Sequence, residues 1–198
     1  MTGFDRQTLE FYSRQAPIYT ASGKGGINRA LPAFVTLLPP GAHILELGCG
    51  GGLDAEYLIQ RGFTVDATDG VAEMAAKAER RLGQPVRVMR FDELVSSEEY
   101  DAVLASYSLL HVPLTELPDI LQRVWFALKP CGHHLAIYKA GGTEGRDTLG
   151  RYFNYVSHEQ AETAYKAAGP WTKLEIEDFT AIGYDGKEGP RLTIVAQK

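Results

Sequence analysis

The chain has 198 residues, of which 44% are hydrophobic and 23% are charged, and its net charge is −5. This length predicts one domain with a core that needs neither disulfides nor metals. The acidic balance, without any lysine- or arginine-rich run, argues against a nucleic-acid partner. Because no signal peptide and no apolar stretch of bilayer length is visible, we expect a cytoplasmic protein without membrane contact. The two cysteines, Cys49 and Cys131, suggest neither a disulfide nor a zinc site.

Apolar runs alternate with helical patterns along the chain, which is typical of an α/β fold with a mostly parallel sheet. The predicted strands are His43–Leu47, Thr64–Thr68, Val86–Arg90, Ala102–Ser106, His133–Lys139, Lys173–Asp178 and Arg191–Gln197. The last two strands follow each other without a helix and are expected to form an antiparallel pair. The polar segment Lys139–Gly150 is predicted to be a long functional loop.

Capping and stop signals bound the predicted helices. Asn28 and Thr115 are each expected to cap a helix, and Ser157 with Gln160 forms a capping-box pattern. Pro39 and Gly169 are expected to end the first and last of these helices. Two further helices are predicted at Leu53–Arg61 and Val71–Leu82.

A glycine cluster follows the first strand and gives the strongest indication of function. Residues 44–52 read ILELGCGGG, a buried strand that runs through glycines into a helix. Glycine lets the backbone approach a ligand closely, and ligands of open α/β sheets bind at the carboxyl ends of strands. The first N–H groups of the following helix are expected to favour a negative group.

The residues around the glycines favour one kind of ligand. The dinucleotide fingerprint needs a third glycine where this chain has Leu53. Asp69 ends the second strand, where a carboxylate can accept both hydroxyls of a ribose. Glu46 would repel a pyrophosphate but suits an ammonium group. S-Adenosylmethionine carries a ribose, an ammonium group and a sulfonium.

These segments resemble the class I S-adenosylmethionine-dependent methyltransferases over roughly residues 40–140. ILELGCGGG and TVDATDGVAEM resemble the first two motifs of that family. RFDEL resembles the adenine-contacting segment, while YDAVLASYSLLHV and LKPCGHHLAIY resemble the later motifs. One departure is Cys131, where the family usually has glycine. The segment GRDTLGRYFNY resembles, more weakly, a bacterial small-molecule subgroup that includes tellurite-resistance-related methyltransferases.

The resemblance implies a Rossmann-like, doubly wound fold with a seven-stranded sheet, helices on both faces and an antiparallel last strand. It implies a single methyltransferase domain over residues 1–198, with a helical cap over the cofactor at 1–39 and the core at 40–198. The cofactor would be S-adenosyl-L-methionine and the product S-adenosyl-L-homocysteine. The predicted cofactor-binding residues are Tyr12, Tyr19, Glu46, Gly48, Cys49, Gly50, Asp69, Gly70, Met74, Phe91, Asp92, Ser106 and Tyr107.

Several of these residues also have structural interpretations. Met74 lies on an apolar helix face, and Asp69 and Asp92 are each placed to cap a helix. Tyr12 and Tyr19 are suited to anchoring the N-terminal segment as well as to covering a cofactor. His111 and Tyr107 are the candidate catalytic residues, although an isolated histidine in an apolar run is often a packing residue. Candidate substrate residues are Arg146, Arg151, Tyr152 and Tyr155, since arginines beside tyrosines can hold an anionic or planar molecule.

Methyl transfer from a sulfonium is an in-line displacement in which the leaving group departs neutral, so a catalytic triad is not required. The sequence therefore predicts a methyltransferase for a small-molecule acceptor, without a nucleic-acid partner and as a monomer or homodimer. A catalytically silent S-adenosylmethionine-binding or regulatory protein is the alternative. An NAD-dependent oxidoreductase is a further alternative, which Leu53 and Glu46 disfavour.

Overall fold

The computed structural model describes residues 4–21, 26–183, 186 and 188–198, with the side chains of 19–21 excepted. Its main feature is a seven-stranded sheet in the order β3-β2-β1-β4-β5-β9-β8. These strands are β1 (His43–Leu47), β2 (Thr64–Asp69), β3 (Arg87–Val88), β4 (Tyr100–Ser106), β5 (Leu128–Lys139), β8 (Lys173–Ile182) and β9 (Glu188–Gln197). Two short strands, β6 (Gly145–Arg146) and β7 (Tyr152–Phe153), form a separate hairpin.

Six α-helices are present in the described chain. They are α1 (Arg6–Ala21), α2 (Leu31–Phe34), α3 (Leu53–Ile59), α4 (Ala72–Leu82), α5 (Leu117–Ala127) and α6 (His158–Ala168). None of the helices in these described ranges is long and apolar enough to cross a lipid bilayer.

The strand directions confirm the predicted doubly wound sheet. Strands β1 to β5 are parallel to their neighbours, whereas β9 pairs antiparallel with both β5 and β8. Strand order reverses between β1 and β4, which pair directly. At such a reversal the connections leave in opposite directions and open a crevice at the carboxyl ends of the strands.

Two hydrophobic cores cover opposite faces of the sheet because successive strand residues point to opposite sides. In β1, Leu45 and Leu47 pack with α5 and α6, whereas Ile44 packs with α2, α3 and α4. Strand β1 is buried on both faces, which explains its continuous apolar sequence.

Some local predictions were wrong. Strand β3 has two residues rather than five, and a helix over residues 31–34 gives way to a 3₁₀ turn at Val35–Leu37. The Asn28 carboxamide accepts the Ala30 N–H in a turn, so it does not cap the helix as expected. Glu116, not Thr115, occupies the cap position of α5. The capping box at Ser157 is confirmed. The segment predicted as a long loop contains β6, which its pairing with β7 stabilises.

Candidate functional site

The glycine loop between β1 and α3 crosses the end of β4 at very close range. Gly48, Gly50 and Gly52 all have left-handed backbones, with φ of +74°, +56° and +79°. A Cβ on Gly48 would lie 2.5 Å from the Cβ of Ser108, which is not a tolerable distance. Glycine is therefore required at position 48 by a neighbouring loop of the protein itself, in addition to any ligand.

The amides of this loop are already engaged by the protein. Gly48 and Cys49 both donate to the carbonyl of Thr68, at 2.9 and 2.8 Å. The Gly50 N–H donates to the Asp69 carboxylate at 2.9 Å. The Ala55 N–H, in the first turn of α3, donates to Glu46. One N–H group at the start of this helix is thus used by an acidic side chain of the protein itself.

Three buried carboxyl groups line a cavity of about 200 Å³ beside the glycine loop: Glu46, Asp54 and Asp69. Burial, reinforced by the nearby Asp54 and Asp69 charges, holds the pKa of Glu46 well above its usual range. Burial likewise raises the pKa of Asp54, and raises that of Asp69 to about 6. The cavity thus concentrates acidic groups that an incoming cation would stabilise in the charged form.

Each carboxyl group is held differently. Asp69 accepts the N–H groups of Gly50 and Val71, both at 2.9 Å. Asp54 accepts the Asn28 N–H at 2.8 Å and the hydroxyl of Ser106. By contrast, Oε2 of Glu46 is buried without a hydrogen-bond partner in the described chain. An unsatisfied buried carboxyl oxygen is costly, so this atom is the one most in need of a ligand donor.

Asp54 is a member of this cluster that sequence reasoning missed. An acidic residue in the first turn of a helix is ordinarily explained by the helix dipole, and that explanation hid it. The only available signal was its position one turn after the glycines, on the side that α3 turns toward the sheet.

Apolar and aromatic side chains form the rest of this first cavity. Met74 is 3% exposed and packs with Val71 and Ala16, so its structural interpretation is correct while it also lines the cavity. Phe91, Cys49 and Gly70 line it as well. Asp92 does not line it, and its carboxylate is held by Arg90 at 3.0 Å. The side chain of Tyr19 lies outside the part that the structure describes.

Tyr12, His111 and Arg151 form a hydrogen-bonded chain at the inner end of the cavity. Nδ1 of His111 lies 2.5 Å from the carbonyl oxygen of Tyr152, which can only accept, so Nδ1 carries the proton. The pKa of His111 is lowered to about 4 by burial, so the ring is neutral at pH 7. Nε2 therefore accepts from the Tyr12 hydroxyl at 3.1 Å, and Arg151 donates to the same hydroxyl oxygen at 3.3 Å.

Tyr107 lies where the first cavity meets a second one of about 450 Å³. Its φ is +54°, a strained value for a residue with a side chain, at the end of β4. Burial raises the pKa of its hydroxyl, which is hydrogen-bonded to Arg191. Ser106 lines only the first cavity, whereas Tyr12, Asn28, Tyr107 and His111 line both.

The predicted substrate residues do not converge on one cavity, although Arg146 and Tyr152 pair directly across the β6–β7 hairpin. Arg146 is paired with Asp5 at 2.6 Å, and the Tyr152 hydroxyl donates to Glu144. Arg146, Tyr152 and Tyr155 line neither cavity. Arg151 does line the second cavity, although Asp147 holds it at 2.7 Å.

The second cavity has a basic lining that sequence reasoning missed. Besides Arg151, its cations are Arg29, Lys139 and Arg191, and no carboxylate is among the described residues that line it. Phe153 and Phe179 supply aromatic surface. In the sequence, Lys139 ends one predicted strand and Arg191 begins another. Only the register of the sheet shows that the two residues meet.

No group of three or more His, Cys, Asp or Glu residues suited to hold a metal occurs among the described residues. The three carboxyl groups of the first cavity each accept at least one hydrogen bond from a backbone N–H group or a hydroxyl. The arrangement suits an organic cation with hydroxyl groups instead.

Comparison with known proteins gives a consistent family of similar chains. A family model described as a methyltransferase domain matches residues 44–132. The human mitochondrial ubiquinone biosynthesis O-methyltransferase is 34% identical over 144 residues, which are 68% of this chain and 37% of that protein. The chain spans about half or less of the length of the curated relatives that it matches.

Solved structures show the same fold at low sequence identity. The 1,6-didemethyltoxoflavin-N1-methyltransferase of Burkholderia thailandensis, with bound 1,6-didemethyltoxoflavin and S-adenosylhomocysteine, has a TM-score of 0.77 at 19% identity, covering 96% of this chain and 86% of that one. The [4+2]-cyclase SpnF has a TM-score of 0.73 at 16% identity, covering 100% and 99%. The fold is thus shared by proteins whose names indicate different reactions.

Proposed function

The chain belongs to the class I S-adenosylmethionine-dependent methyltransferase family, and we propose that it transfers a methyl group from S-adenosylmethionine to a small-molecule acceptor. The observation that carries the proposal is the group of three buried carboxyl groups around a glycine loop at the strand-order reversal. These are the features that a ligand with a ribose and two cationic centres requires.

We assign the donor to the first cavity. Asp69 would accept the ribose hydroxyls, because its two oxygens retain acceptor capacity beyond the two backbone bonds. The unpartnered oxygen of Glu46 would accept the donor's ammonium group. Phe91 and Met74 offer an apolar surface for the adenine ring. Thr8, Leu9 and Tyr12 of α1 also line this cavity, which supports the proposed role of residues 1–39 as a cap.

The acceptor would reach the methyl group from the second cavity, at the junction formed by Tyr107 and His111. In the displacement, the bond between carbon and sulfur breaks, its electron pair stays on sulfur, and the acceptor atom forms the new bond to carbon. The sulfur leaves as a neutral thioether. Holding the reactants close and collinear can contribute up to roughly ten kcal/mol, so positioning is the main task of the protein.

An acceptor that is protonated at neutral pH must lose its proton, and we propose that His111 receives it through the Tyr12 hydroxyl that contacts Nε2. Its Nε2 carries a lone pair because Nδ1 is protonated, and the low pKa keeps the ring neutral at pH 7. Tyr12, which contacts Nε2, lines both cavities and can relay the proton. The raised pKa of Tyr107 keeps its hydroxyl protonated, so we assign it to acceptor positioning.

Donor binding tests the proposal directly by calorimetry with S-adenosylhomocysteine. Asp69→Ala removes a carboxylate that would make two charged hydrogen bonds, so we expect affinity to fall by about 100-fold. Asp66→Ala is the matched control, because Asp66 lies on the same strand, is partly exposed and lines neither cavity. Wild-type affinity in Asp69→Ala would contradict the site, and so would equal losses in both variants.

Catalysis is tested separately with labelled S-adenosylmethionine and a panel of thiols, phenols, amines, carboxylates and metalloid oxyanions. Transfer of label to one acceptor class supports a methyltransferase, including the tellurite-related subgroup if the acceptor is a metalloid. Tight donor binding without transfer to any member favours a silent or regulatory protein, or another reaction on this fold, as the name of SpnF illustrates. Binding of NADH in a fluorescence titration would revive the oxidoreductase alternative.

The cytoplasmic location and the monomeric or homodimeric state remain proposals that rest on sequence. Light scattering of the purified chain would establish the oligomeric state. We propose, from the acidic charge balance, that the protein has no nucleic-acid partner, and retention on a DNA or RNA column at physiological salt would contradict this.

A further inference from the structure

Three side chains from the neighbouring strands β5, β9 and β8 form one wall of the second cavity. In the register of the sheet, Arg191 of β9 lies opposite Lys139 of β5 on one side and Phe179 of β8 on the other. Directly paired residues of antiparallel strands project to the same face of a sheet. All three line the second cavity, as does Arg29, whose guanidinium lies 4.5 Å from the centre of the Phe179 ring.

The charge of Arg191 is buried without a carboxylate partner. The residue is 5% exposed, and its polar contacts are the Pro190 carbonyl, at 2.9 Å, and the Tyr107 hydroxyl. Across the described ranges, no carboxylate oxygen lies within ion-pair distance of it. A buried cation that meets only neutral acceptors is costly, and a bound anion would offset that cost.

The neighbours of Arg191 add to the positive charge instead of neutralising it. Lys139 stands directly opposite, and like charges in that position destabilise a strand pair. The Lys139 ammonium contacts the face of Phe153 at 4.1 Å. Arg29 and Arg151 also line the cavity, and the latter has its own partner in Asp147. A bound anion at this wall of the cavity would offset the repulsion between these cations.

We propose that Arg191, with Lys139 and Arg29, binds an anionic group, a carboxylate or a phosphate, on the methyl acceptor. The flat body of the acceptor lies against Phe179 and Phe153, and its reactive atom reaches the junction at Tyr107 and His111. This inference rests on the proposed function, since it describes the substrate class of the same enzyme. It assigns recognition of the acceptor to three cations that lie outside the cofactor motifs.

The test uses pairs of small aromatic probes, each an anion and a neutral counterpart. Benzoate is compared with benzamide, indole-3-acetate with indole-3-acetamide, and phenyl phosphate with phenol. Binding is measured by calorimetry to the full chain saturated with S-adenosylhomocysteine. We expect at least one anion to bind 10-fold or more tightly than its neutral counterpart. Comparison of the carboxylates with the phosphate identifies which anion the cavity prefers.

Variants connect that preference to the proposed residues. Arg191→Gln should abolish the preference for the anion, whereas Arg191→Lys should retain part of it because it keeps the charge. Arg29→Gln removes an exposed cation and should reduce the preference several-fold even if Arg191→Gln fails to fold. Arg80→Gln is the control, since Arg80 is exposed and lines neither cavity. Binding of S-adenosylhomocysteine should be unchanged in Arg29→Gln and Arg80→Gln.

The proposal is overturned if no anion in the panel binds more tightly than its neutral counterpart. It is also overturned if the preference survives in Arg191→Gln and Arg29→Gln, or is lost equally in Arg80→Gln. A wild-type chain that binds no S-adenosylhomocysteine would instead overturn the proposed function, so the two failures are distinguishable.

Discussion

The two cavities meet at Tyr107 and His111 but have opposite charge. The first buries Glu46, Asp54 and Asp69 around a glycine loop, whereas the second is lined by Arg29, Lys139, Arg151 and Arg191. Methyl transfer joins a cationic donor to an electron-rich acceptor, so opposite charges on the two sides suit the two reactants. Under the proposed function, each cavity would select its ligand by charge, and only the junction would serve the reaction.

The largest expected effect comes from filling the space above the glycine loop. Gly48→Ala combines a left-handed backbone with a Cβ placed 2.5 Å from Ser108, so the loop must move. We expect donor affinity to fall by at least about 100-fold, with loss of stability of roughly 1–3 kcal/mol. Gly62→Ala is the matched control, because its φ is +83° but nothing lies within 4 Å. Equal effects of both variants on donor binding would show that backbone strain, and not the close approach, is responsible.

A smaller effect is expected from neutralising one acid of the first cavity. Glu46→Gln keeps the shape of the side chain but removes the charge that would bind the ammonium group, so we expect S-adenosylhomocysteine to bind about 10-fold more weakly. The apo variant should also lose less stability than wild type as the pH rises, because burial raises the pKa of Glu46 and glutamine has no charged form for burial to penalise. Calorimetry and denaturant unfolding measure the two effects. Glu177→Gln, on the exposed side of β8 and lining neither cavity, should change neither quantity appreciably.

Lowering the pH should weaken donor binding but stabilise the ligand-free protein, because both effects depend on the protonation of Asp69. The folded pKa of Asp69 is about 6, above its ordinary value of 3.8. Its contribution to stability is therefore complete below about pH 4 and is lost as pH rises through 6. Donor binding needs the carboxylate, so affinity should fall by about 10-fold between pH 7.5 and pH 5. A flat affinity profile over this range would contradict the assignment of Asp69 to the ribose.

The smallest expected effect comes from relieving backbone strain at Cys131, which lies outside both cavities. Cys131 has a φ of +65°, a left-handed conformation that favours glycine, and it lines neither cavity. Cys131→Gly should stabilise the protein by about 1 kcal/mol without altering donor or anion binding. Thermal unfolding measures the first quantity and calorimetry the second. Altered ligand binding would mean that the turn before β5 is coupled to the junction, where Tyr107 is strained in the same way.

Much of the first cavity could be predicted from sequence because it depends on local pattern. Glu46, the glycines and Asp69 lie at the ends of two adjacent parallel strands, and parallel strands bring their carboxyl ends to one edge. Asp54 was missed because the helix dipole already explains an acidic residue in the first turn of a helix. Asp92 was also predicted to bind the cofactor, but its carboxylate contacts Arg90. The closeness of these two residues in sequence did not reveal that contact.

The second cavity could not be predicted in the same way. Four residues looked like a cluster because they are close in sequence: Arg146, Arg151, Tyr152 and Tyr155. Two of them lie on β6 and β7 and are held elsewhere, Arg146 by Asp5 and Tyr152 by Glu144. The cations that do meet come from positions 29, 139, 151 and 191. Their meeting depends on the register of β5, β9 and β8, and a shift of one residue would have turned the strand side chains to the other face.

The sequence by itself determined the order of the elements, the parallel sheet with its antiparallel end, and the acids and glycines of the first cavity. These follow from periodicity, from glycine's access to positive φ and from strand ends, all of which are local properties. Only the tertiary structure decided which cations line the second cavity, and that Tyr12 meets His111 from a position 99 residues away. Long-range register and packing decide such contacts, and no local pattern encodes them.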